Sequence, residues 1–441
     1  MTVTLSNNTF IGNSNDGGLV GAGAYCDATT VTLTGNIFSG NVVNYGNAGG
    51  GGAFCVGTVM LRGNTFTGNS AYIGHPAGGG GGGVSCIGTV TLIGNTFTGN
   101  SATSASGNGG GGAFCLGTVT LVNNTFSGNS ALGSGNGGGA CCSGNPGDTI
   151  TLTNNTFTGN STSSAGGGAY CITGGTNILY GNKAKLNTAA SGGGLFVTGP
   201  TLLLLNNLAV NNTQSSASSK GGGMWVNASV NLDMINNTVF GNTAVGNGGG
   251  VAFQVNGVTE VLNVHNNIIW GNTASGSGGD IHIAGIGSSK KFTFNNYHDM
   301  SGVWDFDQPR LDLSPQFFDP VNGDYHIRGT SPCKDAGTNG ASSLPATDLD
   351  GEPRIANGTV DLGCYEFNNT AFHPADVNSN WTISSAEFNA YAAAWRNGQT
   401  WSTAPAVIPA DYLTRAGYLM TNGGVYTNDG SARPVNWKIG P

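Results

Sequence analysis

The same phrase restarts six times in the first 160 residues, and few architectures accommodate that. It consists of an apolar Val-x-Leu run, then Asn-Thr-Phe-Thr-Gly-Asn or a near variant, then a glycine tract ending in Ala-aromatic-Cys. Its phenylalanines fall at Phe10, Phe38, Phe66, Phe97, Phe126 and Phe157, in steps of 28, 28, 31, 29 and 31. The branched residues Val3, Val31, Val59, Val90, Val119 and Ile150 keep identical steps. A fixed period of this size marks a solenoid, in which each unit buries its apolar face only by stacking on its neighbours. Length variation lies between Asn-Ser-Ala and the glycine tract, so insertions are confined to one corner of each coil.

Period-two alternation predicts three short strands per coil: Ala-aromatic-Cys, Val-Thr-Leu, and one centred on Asn-Thr-Phe. Gly, Asn and Thr at this density oppose helices. The expected fold is therefore all-β, a right-handed parallel β-helix (β-solenoid). About ten coils spaced 4.8 Å apart make a rod about 50 Å long, with the coils spanning residues 1–292. The repeat weakens beyond residue 160 but keeps its Asn-Asn…Asn frame at Asn206–Asn211, Asn236–Asn242 and Asn266–Asn272.

Composition narrows the function. The 79 glycines and 8% charged residues would signal disorder without the periodic Val, Leu, Phe and Cys. A net charge of −8 disfavours nucleic acid and acidic membranes as partners. No run of 18 apolar residues is present, so no membrane span is expected. No signal peptide is visible, because Met1 opens directly onto a strand, which reads as an incomplete gene start. Residues 1–220 hold only three acids (Asp16, Asp27, Asp148) and four bases (Arg62, Lys183, Lys185, Lys220).

Several columns repeat along the coils. Cys26, Cys55, Cys86, Cys115, Cys142 and Cys171 are continued by Val197, Val226, Phe253 and Ile283, which places this column inside. A reduced buried ladder is the favoured reading, disulfides or metal the alternative. The preceding residue then points outward: Tyr25, Phe54, Ser85, Phe114, Cys141, Tyr170, Phe196 and Trp225. Its aromatics are candidate partner-binding residues, for stacked sugars or a protein surface, although glycine-rich corners folding over them is the favoured expectation. The Asn-x-Thr triplets at Asn7, Asn64, Asn95, Asn123 and Asn154 formally read as glycosylation acceptors. Recurrence at one coil position favours asparagine ladders instead. On later coils only Asp233, Glu260 and Asp280 are acidic, at different coil positions, so no paired-carboxylate groove is expected. No catalytic residue is assigned. Gly51-Gly52-Ala53-Phe54 with Phe66-Thr67-Gly68-Asn69 resembles the GGA-x and F-x-x-N repeats of polymorphic outer-membrane proteins. That resemblance covers residues 1 to about 290 and implies a surface β-helix.

Residues 293–367 read as a capping segment. Leu313–Phe317, Gly323–Ile327, Ser331–Gly337, Asp348–Arg354 and Val360–Glu366 occur in an order similar to the closing segment of secreted bacterial β-helix proteins of the choice-of-anchor Q type. That resemblance implies the end of the solenoid and surface attachment beyond it. Cys333 and Cys364 stand outside the ladder and are expected to form a disulfide staple, in keeping with an extracellular setting. Asp348, Asp350 and Glu352 are expected to tie their loop to Arg354, with a bound cation as the alternative.

Residues 368–441 carry the sharpest chemical signal. Asp376, Asn378, Asn380, the Thr382 carbonyl, Ser384 and Glu387 occupy positions 1, 3, 5, 7, 9 and 12 of an EF-hand loop, with Ile383 at position 8. Trp381 stands where glycine normally makes the turn. Calcium is the cofactor these ligands suit; the plainer reading is a helix start capped by Ser384 or Ser385. A helix is expected at 386–395 and another at 411–420. The loop and first helix resemble one half of a dockerin, but no second ligand set follows, so the resemblance does not extend to a partner. Val425–Pro441 reads as an extended arm, and Tyr391, Trp395, Trp401, Tyr412, Tyr418 and Trp437 as a small core or a partner surface.

The combined expectation is a non-enzymatic extracellular or cell-surface structural protein that self-associates head to tail into a filament. The alternatives are a surface-anchored adhesin or scaffold that binds glycans or proteins and, less favoured, a polysaccharide-active enzyme.

Overall fold

The computed structural model describes residues 1–16, 18–74, 79–104, 109–255, 261–285, 289–302, 310–367, 372–403, 405–428, 434 and 437–440. Three long parallel sheets of sixteen, twelve and ten strands run the length of a β-solenoid. The first carries the Cys and Val-Thr-Leu strands, the second the Asn-Thr-Phe strands, and the third the segment that follows. Repeats pair in register, as in Cys55↔Cys86↔Cys115 and Phe66↔Phe97↔Phe126. Among the described residues no helix is long and apolar enough to cross a membrane.

The inward columns make the core. Phe10, Phe38, Phe66, Phe97, Phe126 and Phe157 form one stack, with centroids 4.7–5.0 Å apart and planes within 11°. Ring quadrupoles disfavour face-to-face overlap. Here the coil repeat imposes it, and burial at about 1.5–3 kcal/mol per ring outweighs the penalty. The six ladder cysteines are free thiols, each at most 3% exposed.

Each coil turns two corners on residues with left-handed backbone. The first uses Asn7, Gly35, Gly63, Gly94, Asn123 and Asn154, with φ between 53° and 64°, because only Gly and Asn enter that region cheaply. The expectation for the Asn-x-Thr triplets therefore needs correction. Asn64 and Asn95 lie in a ladder, whereas Asn7, Asn123 and Asn154 make the turn just before it. The first ladder runs from Asn8 through Asn36, Asn64, Asn95, Asn124, Asn155, Asn182, Asn207, Asn237 and Asn267 to Asn295. A second runs from Asn13 to Asn272 and ends on the carboxylate of Asp280. Asn100 Nδ2 donates to Phe66 O and to Asn129 Oδ1, while its Oδ1 accepts from Asn69, so one amide ties three coils. Buried polar groups are satisfied by repetition.

The capping segment does more than close an end. Arg310–Leu311 extends the second sheet by one strand. The chain then folds back along the outside of that sheet. Phe317, Tyr325, Ile327, Cys333, Leu362 and Cys364 pack on Leu208, Val210 and Ile268, with Phe240 and Trp270 alongside. Asn236, Asn266 and Thr238 bond the backbone of 338 and 361–364.

Two expectations for this segment fail. Cys333 and Cys364 are free buried thiols: Cys333 O accepts from Leu362, two residues short of Cys364, and Asn296 donates to Cys333 Sγ. Arg354, 1% exposed, makes no hydrogen bond or ion pair with the 348–352 acids among the described residues, although its charge favours ionised Asp348; it reaches Glu366 at 3.6 Å and donates to Gly363 O. Asp348 instead holds its own loop, accepting from Asp350 N, Glu352 N and Glu366 N.

Helices α1 (Ser385–Arg396) and α2 (Ala410–Thr421) follow. The tail is not an extended arm. Tyr426–Asn428 pairs antiparallel with Trp437–Ile439, and Trp437, fully buried, closes a core with Tyr391, Ala416 and Leu419. Trp401 and Tyr412 join that core, whereas Trp395 and Tyr418 remain 43% and 46% exposed.

Candidate cation site in the C-terminal module

The loop before α1 winds tightly because two non-glycine residues, Ser379 and Trp381, take φ of 54° and 58°. Trp381 thus adopts the conformation that glycine would supply, at a cost of about 1 kcal/mol or more. Its ring compensates by packing on Phe372 (4.5 Å), Tyr426 (5.3 Å) and Phe318 (6.0 Å). Tyr426 N donates to Trp381 O and Ile383 N to Gly424 O, so the loop is clamped to the segment after α2.

Five of the six sequence-identified residues are held by direct bonds, in two groups. Asp376 Oδ1 accepts from Asn380 N (3.1 Å), and Asn380 Oδ1 from Thr382 N (2.9 Å). Ser384 caps α1, and Glu387 Oε2 accepts from Ser384 N (2.9 Å) and Oγ (2.7 Å), a reciprocal capping box. The helix-cap reading and the ligand reading therefore share the same residues. Asn378 is exposed at the loop surface.

The electrostatics are unfinished. Asp376 and Glu387 are 3% and 8% exposed, and neither has an ion pair among the described residues. Glu387 Oε1 is buried with no hydrogen-bond partner. Burial, with a smaller contribution from the Glu387 charge, pushes the Asp376 carboxyl up to about 6; Tyr426 Oη donates to its Oδ2 at 2.7 Å. Two buried carboxylates near enough to feel each other's charge, one with an orphaned oxygen, fit a hard cation, which seeks oxygen ligands. Among the described residues no three His, Cys, Asp or Glu side chains cluster. This donor set has two carboxylates, the remainder being amide, hydroxyl and carbonyl oxygens.

Trp381 and Tyr426 also wall a cleft of about 420 Å³ between module and cap, shared with Phe318, His326, Asp350 and Glu352. His326 is held between Asp324 (2.5 Å) and Asp350 (2.7 Å). Burial opposes its charge, but the two carboxylates outweigh that and hold the imidazole at about 9. Sequence reading missed His326 and Glu366, because their partners lie up to 24 residues away without periodic spacing.

The outward aromatic column divides. Phe54 (1% exposed) and Phe114 (3%) are buried, with Ser85 and Cys141, beneath glycine corners that form a short fourth sheet, so they cannot meet a partner. A Cβ added at Gly79 would come within 2.5 Å of the Phe114 ring. Tyr25 is 49% exposed. Tyr170, Phe196 and Trp225 are half-buried and stacked at 4.9 and 4.2 Å. Of the later acids, Asp233 binds Asn263, Ser342 and Ser343, and Asp280 binds Asn272 and His298 N. Glu260 lies outside the described residues. No family model, curated protein or solved structure matches the chain.

Proposed function

We propose that the protein is a non-enzymatic structural rod of the cell exterior, joined head to tail to further copies through a calcium-stabilised C-terminal module. The observation that carries this reading is Glu387 Oε1, buried and unpartnered beside an Asp376 carboxyl with no counter-charge. Asp376, Asn378, Asn380, the Thr382 carbonyl, Ser384 and Glu387 would hold the ion, whose charge would let both carboxylates ionise while buried. Calcium would meet Glu387 Oε1 free while Oε2 keeps the helix cap. The rod itself suits a mechanical role, since Asp148 holds a turn, Asp280 ends a ladder and Asp233 binds serines of the cap.

Electron microscopy of the full-length protein with calcium, and after chelation, tests this. Regular filaments that disperse on chelation are expected; dispersed rods in both conditions would reject self-assembly. A second reading, a glycan-binding scaffold, is favoured by the half-exposed Tyr170–Phe196–Trp225 stack, whose ring faces suit sugars.

A further inference from the structure

Four consecutive coils carry Thr-Phe-Thr or Thr-Phe-Ser as a strand of the second sheet: Thr65–Thr67, Thr96–Thr98, Thr125–Ser127 and Thr156–Thr158. Strand alternation sends each phenylalanine inward and both flanking residues outward. Thr65, Thr96, Thr125 and Thr156 pair in register with no shift, which makes one straight row. Thr67, Thr98, Ser127 and Thr158 make a second. All eight are exposed or half-exposed, and their hydroxyls have no protein partner among the described residues.

The two rows form a net with fixed dimensions. Along a row the step follows the backing rings, 4.7–5.0 Å. Between rows it is two strand residues, about 6.6 Å. Each strand ends on Gly68, Gly99, Gly128 or Gly159, where an added Cβ would meet nothing within 4 Å, so no side chain overhangs that edge. No charged residue lies in these four strands; Lys183 and Lys185 begin only in the next.

The chain's own covering segment sharpens the contrast. Where the cap lies over this sheet, the same outward positions are Leu208, Val210, Phe240, Ile268 and Trp270. The one threonine under the cap, Thr238, is buried, and its hydroxyl accepts from Cys364 N, whereas the eight hydroxyls of the bare face have no such partner. An uncharged, rigid net of hydroxyls, with methyls on all but Ser127, suits a ligand that is itself uncharged and periodic in two dimensions. Oxygen spacings in planes of hexagonal ice lie close to both repeats, and liquid water has no such order to match.

We propose that this threonine face binds ice. Measurement of ice recrystallisation with the calcium-loaded full-length protein tests it, alongside fluorescent protein partitioning onto a growing ice surface. Micromolar protein is expected to hold ice grains small and to coat the surface. Thr98→Tyr places a ring mid-face on a strand that tolerates tyrosine; Thr125→Arg places a charge there. Each should lower activity by about tenfold or more, as blocking a central contact does, with circular dichroism and thermal unfolding unchanged. Leu132→Tyr, on the third sheet at a side chain 47% exposed, should keep activity. Grain coarsening at the buffer rate with native protein would overturn the proposal. So would full activity in either folded face variant, which would leave another surface or a polysaccharide as the ligand.

Discussion

Two stretches of one sheet, residues 65–158 and residues 208–270, share their inward architecture and differ outside. Both stack coils in register over asparagine ladders that hold every corner. Outside, the first stretch shows threonine to solvent, while the second shows Leu208, Val210, Ile268 and Trp270 to the folded-back cap. The repeat dictates the interior because each coil needs the same contact from its neighbour. What covers the sheet dictates the exterior. Polar satisfaction differs in the same way. Among the described residues, six of the eight buried side-chain atoms without a hydrogen-bond partner belong to Tyr297, Arg354, Trp381, Glu387 and Tyr391, in the cap and module. Repetition satisfies polar groups; the non-repeating end leaves some for another agent, and Glu387 Oε1 is the one beside a second carboxylate.

The largest expected effect is inside the first stretch. Phe97→Ala removes a ring stacked on both sides and should cost about 4 kcal/mol, measured by denaturant unfolding. Asn100→Ala leaves Phe66 O and the Asn69 amide without their partner and should cost about 3 kcal/mol. An Asn100 variant as stable as the native protein would show that the ladders do not hold the corners.

Ile268→Thr writes the bare-face residue into the covered face. It should cost about 2 kcal/mol of cap docking, read as faster hydrogen exchange at 317–327 and 360–364, with residues 65–158 unaffected. The smallest effect is on pH. His326 (about 9), Glu366 (about 8), Asp361 (about 6) and Asp376 (about 6) all hold protons to higher pH than they would unfolded. Protons bound by the folded state stabilise it at low pH, so the cap should loosen as pH rises from about 5 to 9, whereas in the module His373, lowered to about 4 by burial, opposes Asp376 and leaves little net change. Asp350, shifted down, titrates below that window. Protection over 65–158, relative to the unfolded exchange rate at each pH, should stay flat, since those coils hold one acid, Asp148, itself shifted down.

Periodic features were legible from sequence. The 28–31-residue steps gave the coils, Val197 and Val226 in the cysteine column marked it as interior, and Asp376 to Glu387 stood out by spacing. Contacts without a period were not legible. Nothing near Trp437 announces that it fills a core built by Tyr391 and Leu419, and nothing near Arg354 points to Glu366. Asn7, Asn123 and Asn154 were misplaced by one position because asparagine serves both the left-handed turn and the ladder beside it. The phrase Asn-Asn-Thr therefore fixes a corner without revealing which asparagine does which task.

The most direct test is calorimetric titration of calcium into the full-length protein and its Glu387→Gln variant. Glutamine keeps the helix cap while removing the carboxylate. One calcium per chain, lost or greatly weakened in Glu387→Gln with α1 intact, is the predicted result. No calcium binding by the native protein, or equal binding by both, would contradict it.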